Sequence, residues 1–136
     1  MSPRQIVEHM LSNDAFSHWL GIELVEVSEG NCVLRMQVRE EMTNGFDILH
    51  GGVSYSLADS ALAFAANTHG QHALSVETSI SHLRAVQPGE WLTARSSERK
   101  AGRRTGVYDI EILNEQQQCV ALFRGHVFRT DKKWGQ

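Results

Sequence analysis

The stretch Asn44-Gly45-Phe46-Asp47-Ile48-Leu49-His50-Gly51-Gly52-Val53-Ser54-Tyr55-Ser56-Leu57-Ala58-Asp59 decides the reading of this chain. A polar turn runs into His-Gly-Gly, which opens a helix carrying one carboxylate in its third turn. A helix that begins with glycine offers unblocked backbone N–H groups and the positive end of its macrodipole. That arrangement stabilises negative charge developing on a substrate oxygen. Asp59 lies among Leu57, Ala58, Ala61 and Leu62, where an acid is expensive unless it has a purpose. An oxyanion site with a lone carboxylate points to acyl-transfer or hydrolytic chemistry.

Around this segment the pattern is a short leading helix and six strands. Pro3 to about Trp19 has Ile6, Met10 and Leu11 at helical spacing and predicts a short N-terminal helix ended by Gly21. Ile22–Ser28 and Cys32–Val38 read as strands joined at Glu29-Gly30-Asn31. Gly52 to about Thr68 is the one long apolar helix. Strands then follow at about Ala73–Arg84, Trp91–Arg99, Thr105–Leu113 and Cys119–Arg129, with turns at Pro88-Gly89, Ala101-Gly102 and Asn114 to Gln118. The expectation is α+β: a six-stranded antiparallel sheet, its last four strands in a meander, wrapped around the central helix. Residues 1–136 form a single domain, without repeat or linker.

On that helix, at about 100° per residue, Val53, Leu57, Ala61 and Phe64 share one stripe, and Gly52, Ser56, Asp59, Ala63 and Ala66 another. The first stripe suits the sheet. The second is lined by small residues and suits close approach to another backbone, which predicts a dimer. Eight residues separate Gly51 from Asp59, about 12 Å of helix. One reacting carbon cannot reach both from the same helix. Either Asp59 has nothing to do with Gly51, or two helices run antiparallel and each site is shared between subunits. The small-residue stripe favours sharing.

Composition narrows the chemistry. The 136 residues, 41% hydrophobic and 21% charged, carry a net charge of −3 and a pI near 6.1, which argues against nucleic acid as a partner. The longest uninterrupted apolar run, Ala61 to Ala66, is too short to cross a bilayer, and no signal core opens the chain. Cys32 and Cys119 make no disulfide framework, so a cytoplasmic, reduced protein is expected. The seven histidines are dispersed without metal-ligand spacing, so neither a metal nor another cofactor is expected. No Gly-rich phosphate loop, Gly-x-Ser-x-Gly elbow or Cys–His nucleophile pattern is present.

Each candidate has a plainer reading beside it. Gly51 is an oxyanion donor or an ordinary glycine turn into a helix. Asp59 is a catalytic acid or base, or an aspartate satisfied by Ser56 or Ser60. Asn44 orients water or a carbonyl, or belongs to an Asn-Gly turn. His50 braces the loop more readily than it acts as a base. Arg95 to Arg104 gathers five of the thirteen basic residues (Arg95, Arg99, Lys100, Arg103 and Arg104) against the single acid Glu98. That hairpin is a phosphate grip, with Arg84 as an additional member, or a solvated, blunted edge.

The segment Asn44…His50-Gly51-Gly52…Asp59 resembles the hotdog-fold acyl-CoA thioesterases of the phenylacetate-degradation (PaaI) type. So do Thr105-Gly106-Val107-Tyr108-Asp109-Ile110-Glu111-Ile112 and Val120-Ala121-Leu122-Phe123-Arg124-Gly125. The resemblance covers roughly residues 10 to 129. It implies hydrolysis of aryl-acetyl-CoA esters, with Phe46, Ile48, Leu49 and Tyr55 equally suited to medium acyl chains, by a homotetramer of two dimers, with sites at the dimer interface and CoA along the surface. It gives Gly51 the oxyanion role, with Gly52 beside it in the substrate site. Asp59 becomes nucleophile or general base, and Asn44, next to His50, orients water or the thioester. Ser75 becomes a hydroxyl assisting the carboxylate and water. Arg84, Lys100, Arg103 and Arg104 carry over as CoA-binding residues only weakly. Two residues past Ser75, Glu77 is expected on the same strand face, where a second acid near Asp59 would raise one pKa of the pair. The rival readings are a hotdog hydratase or dehydratase, for which His50 and Asp59 lack the surrounding motif, and a non-catalytic acyl-CoA binding module, which would not need Asp59.

Overall fold

The computed structural model describes residues 1–136. Two short helices open the chain, α1 (Pro3–Ser12) and α2 (Ala15–Leu20). The single N-terminal helix expected from the sequence is thus broken at Asn13-Asp14. Ser2 and Gln5 cap the start of α1 reciprocally, the Ser2 hydroxyl accepting from Gln5 N at 3.2 Å and Gln5 Oε1 from Ser2 N at 2.8 Å. Asp14 caps α2 by accepting from Ser17 N at 3.0 Å. Gly21, at φ 75°, ends α2 in the left-handed conformation that glycine adopts without penalty.

Six strands follow: β1 (Glu23–Ser28), β2 (Asn31–Gln37), β3 (Gln71–His82), β4 (Trp91–Ala101), β5 (Thr105–Leu113) and β6 (Cys119–Lys133). Helix α3 (Gly51–Asn67) separates β2 from β3. They form one antiparallel sheet in the order β1-β2-β4-β5-β6-β3. The meander is therefore three strands long. β3 does not pair with β4 but lies at the far edge of the sheet against β6, and α3 crosses one face of that sheet.

Helix α3 presses Leu57, Ala58, Ala61, Leu62, Phe64 and Ala65 onto that face, all fully buried or nearly so. The sheet answers with alternate buried residues, among them Leu34, Met36, Leu92, Ala94, Tyr108, Ile110, Ile112 and Phe123. Burial of each large aliphatic or aromatic side chain contributes about 1.5–3 kcal/mol. At Gly125 on β6 the Leu62 side chain of α3 packs directly on the strand backbone, where any Cβ would overlap it. At the C-terminal end of α3 the buried Arg129 donates to Ala66 O at 2.7 Å and to the Tyr108 hydroxyl at 2.8 Å, placing a cation against the negative end of the helix.

A bulge at Val76 changes the parity of β3. Ser75 faces Val127 on the inner, helix-facing side of the sheet, whereas Glu77 faces His126 and Ser79 faces Arg124 on the outer side. The expectation that Ser75 and Glu77 share a face is corrected by this inserted residue. β3 is also an edge strand, with Leu74 and Val76 64% and 67% exposed.

Candidate active site

The loop before α3 is built around Asn44. Its Oδ1 accepts from Phe46 N at 2.9 Å and from Ile48 N at 3.5 Å, and its backbone N–H donates to Ile48 O at 2.8 Å. This is an Asx turn, and it leaves the Asn44 Nδ2 without a partner inside the chain. His50 is the N-cap of α3, its Nδ1 accepting from Gly52 N at 2.9 Å. His50 is therefore a brace. The Gly52 N–H, a candidate substrate contact in the sequence reading, is already engaged. Gly51, the first residue of the helix, keeps a free N–H, as the geometry of a helix start dictates.

Gly51 and Asn44 line a cavity of about 400 Å³, together with Ser54, His82 and Arg84. His82, at the end of β3, carries no sequence motif, and only the fold brings it here. Its Nε2 lies 2.9 Å from where a Cβ on Gly51 would stand, so Gly51 has no room for a side chain. Ser54 links the two, donating to Gly51 O at 3.1 Å and lying 3.4 Å from His82 Nδ1. Arg84 supplies the cavity's one permanent positive charge.

Asp59 stands apart from this cavity. It lines a separate pocket with Asp14, Phe16, Ser17, Ser56, Ser60 and Ala63. Neither hydroxyl expected to satisfy it does so: Ser56 Oγ donates to Gly52 O at 2.8 Å, and Ser60 Oγ pairs with Ser17 Oγ at 2.8 Å. The carboxylate is half-buried and accepts no hydrogen bond within the chain. Burial and the negative charge of Asp14 raise its pKa. The second acid beside Asp59 is thus Asp14 at the start of α2, while Glu77 points away on the outer sheet face. Ser75 is exposed on the inner side of the sheet, with a hydroxyl that makes no hydrogen bond in the chain.

The basic hairpin occupies the other end of the molecule. Arg129 ties it to the C-terminal end of α3, donating to Gly102 O at 3.2 Å and to Ala66 O. Its tip thus lies about 22 Å of helix from Gly51. Arg104 is paired with Asp131 at 2.8 Å, and Lys100 Nζ donates to Thr105 Oγ1 at 3.3 Å. Hydrogen bonds from Arg124 and Arg99, which outweigh partial burial, hold Asp109 down at about 2, so Arg99 is committed as well. Arg103 and Arg95 are exposed. Within one chain the structure brings Arg84 to Gly51 and leaves Lys100, Arg103 and Arg104 away from it. Cys32 is no nucleophile, since burial pushes its thiol up to about 12.

The arrangement offers an unused backbone donor at a helix start and an unpartnered, proton-accepting carboxylate, in pockets that do not meet within one chain. Comparison with known proteins agrees with thioester chemistry. Residues 46–121 match the family model of the thioesterase superfamily. The chain is 46% identical over 120 residues to the acyl-coenzyme A thioesterase PaaI of Escherichia coli strain K12, covering 88% of this chain and 86% of that one. It is 32% identical to the 1,4-dihydroxy-2-naphthoyl-CoA hydrolase of Listeria monocytogenes, over 77% of this chain and 87% of that one. The E. coli PaaI structure, from the phenylacetic acid degradation operon, superposes with a TM-score of 0.94 at 43% identity, covering 96% of this chain and 95% of its own. A point mutant of the phenylacetic acid degradation protein PaaI of Thermus thermophilus gives 0.83 at 36% identity, over 86% and 100%. The chain belongs to the thioesterase superfamily, with the hotdog fold, and is an acyl-CoA thioesterase of the PaaI type.

Proposed function

We propose that the enzyme hydrolyses aryl-acetyl-CoA esters, phenylacetyl-CoA or its hydroxylated forms, to the free acid and CoA, in a dimer whose two sites are shared between subunits. Similarity to the PaaI thioesterases supports the substrate class, and the observation that carries the shared site is the split of the machinery along α3. The free Gly51 N–H and Asn44 Nδ2 open into one cavity, and Asp59, about 12 Å further along the helix, opens into another. An antiparallel pair of α3 helices supplies each Gly51 with Asp59 of the partner subunit. The unpaired β3 edge, with Leu74 and Val76 exposed, supports pairing of two sheets there. Two such dimers assemble into a tetramer.

At each site the thioester oxygen accepts from Gly51 N–H, and Asn44 orients the attacking water or the thioester. Asp59 takes a proton from that water as it attacks the carbonyl carbon, and the tetrahedral intermediate collapses with loss of the CoA thiolate. In the alternative route Asp59 attacks the carbonyl carbon directly and the C–S bond breaks with loss of the CoA thiolate, leaving an anhydride that water then hydrolyses to the free acid and the Asp59 carboxylate. Arg84 binds the anionic arm of CoA. Ser75, on the inner face of the edge strand, assists water across the interface. The free thiols of Cys32 and Cys119 support a cytoplasmic setting.

The test is a hydrolysis screen across acyl-CoAs, monitored by release of free thiol. Phenylacetyl- and hydroxyphenylacetyl-CoA are expected to give the highest kcat/KM. A clear preference for straight-chain acyl-CoAs over both would overturn the substrate assignment.

A further inference from the structure

We propose that the groove between α2 and α3 is the acyl-group site and that Phe16 is the residue that selects the acyl group; this rests on the reading of Asp59 as the reacting carboxylate. Asp59 opens into a pocket of about 190 Å³ with Phe16 on its wall. A second cavity, of about 460 Å³, adjoins it, with Asp14 and Ala63 lining both, and is walled by Met10 of α1, Phe64 of α3 and Trp134.

Reaction geometry directs the substrate into this groove. The attacking oxygen must come within about 3–3.5 Å of the thioester carbon, so the group hanging from that carbon lies against the surroundings of Asp59. The two arms of the substrate are sorted by charge. The Gly51 cavity holds Arg84 and suits the phosphate-bearing arm. The groove past Phe16 contains no Lys or Arg and two carboxylates, Asp14 and Asp59, which repel phosphate. It is left for the uncharged acyl group.

Phe16 is 55% exposed, and its ring packs against a neighbouring aromatic side chain. It stacks on Trp19 with ring centroids 6.2 Å apart and planes 9° from parallel. Trp19 is clamped in turn by Arg39, whose guanidinium lies 5.4 Å from its ring centroid and donates to Trp19 O at 2.6 Å and Leu20 O at 3.1 Å. A rigid aromatic face beside the reacting carboxylate favours a flat ring through offset stacking. Ala63, one turn after Asp59 on the same helix face, lines both cavities, and a larger side chain there fills the space between them.

The experiment compares kcat/KM for phenylacetyl-CoA and acetyl-CoA in the wild type, Phe16→Ala, Phe16→Leu and Ala63→Leu, with Asp59→Asn alongside. Phe16→Ala and Ala63→Leu are expected to lower the phenylacetyl-to-acetyl ratio about tenfold or more, within the range that pocket contacts discriminate. Phe16→Leu is expected to shift preference towards hexanoyl-CoA. An unchanged ratio in Phe16→Ala, with Asp59→Asn inactive, would overturn the groove assignment alone. Near-normal turnover in Asp59→Asn would overturn the underlying reading instead. Should Ala63→Leu fail to fold, Phe16→Ala, at an exposed position, still decides.

Discussion

Asp59 on α3 shares its pocket with Asp14, the residue that caps α2. Burial raises the pKa of Asp59, and the negative charge of Asp14, an acid from an element far away in sequence, adds to the shift.

The first prediction concerns the acid limb of the rate profile. If Asp59 must be ionised to act, kcat/KM rises with pH through its pKa, which burial and Asp14 raise above the usual aspartate value. Asp14→Asn removes the repelling charge and keeps a good helix cap. The limb is then expected to move to lower pH with little loss of stability. A limb that stays in place would show that Asp14 does not face the reacting group.

Asp59→Asn is expected to reduce turnover by about 10²–10⁴-fold, as for loss of a general base, while stabilising the fold at neutral pH. The folded-state pKa of Asp59 lies above its unfolded value, so folding disfavours the ionised form. The wild type therefore loses stability as pH rises through the window between the two values, and asparagine does not. Thermal midpoints measured across pH should converge below the ordinary carboxylate pKa and diverge above it. Parallel curves at all pH values would contradict the burial argument.

Gly51→Ala keeps the backbone N–H but drives a methyl group into the His82 ring, whose Nε2 is 2.9 Å from that position. A fall in kcat/KM of about tenfold or more is expected, from the loss of rate that small misplacements cause. Gly51→Ala/His82→Ala should recover part of it, the coupling of two residues in contact. No recovery would mean that glycine is required there for some other reason.

The shared site is tested by rescue. Asn44→Ala and Asp59→Asn homodimers each have both sites damaged. A mixed dimer collects both lesions in one site and leaves the other intact. Verified heterodimers of differently tagged subunits should regain about half the wild-type activity, since one of the two sites is complete. Heterodimers without rescue would leave each site within a single chain.

Arg84→Ala is expected to raise KM for CoA esters and to flatten its salt dependence, with a smaller effect on a short thioester lacking the nucleotide. Joint neutralisation of Lys100, Arg103 and Arg104 serves as the comparison. It matters only if a hairpin of another subunit reaches the site, because in one chain it sits at the wrong end of α3. Equal KM changes for both substrates would remove Arg84 from CoA binding.

What the sequence made legible was local. The Asn44 turn, the helix opening at His50-Gly51 and the stripe Leu57-Ala61-Phe64 each follow from a few neighbouring residues, and the structure has them as read. The break between α1 and α2 falls at Asn13-Asp14, where a capping pair overrides the apolar spacing from which one helix is expected. Three relationships were not legible, because each depends on non-local pairing. β3 lies against β6, which brings His82 to Gly51 across thirty-one residues. α2 lies against α3, which makes Asp14, rather than Glu77, the acid beside Asp59. The hairpin basic residues read as one patch, but Arg99 and Arg104 are already committed to Asp109 and Asp131.

The bulge at Val76 gives β3 one residue that its alternation does not need. Ser75 faces inward and Glu77 outward, so loss of Val76 would join them in a strict two-residue alternation. Ala73 and Ser75 would keep the inner face and Leu74 the outer one. What would change is the edge itself, which would lose the kink and added twist that a bulge gives an exposed strand. The segment 71–76 is accordingly open to a deletion at position 76, which alters the shape of the edge and leaves the facing of its side chains as it is.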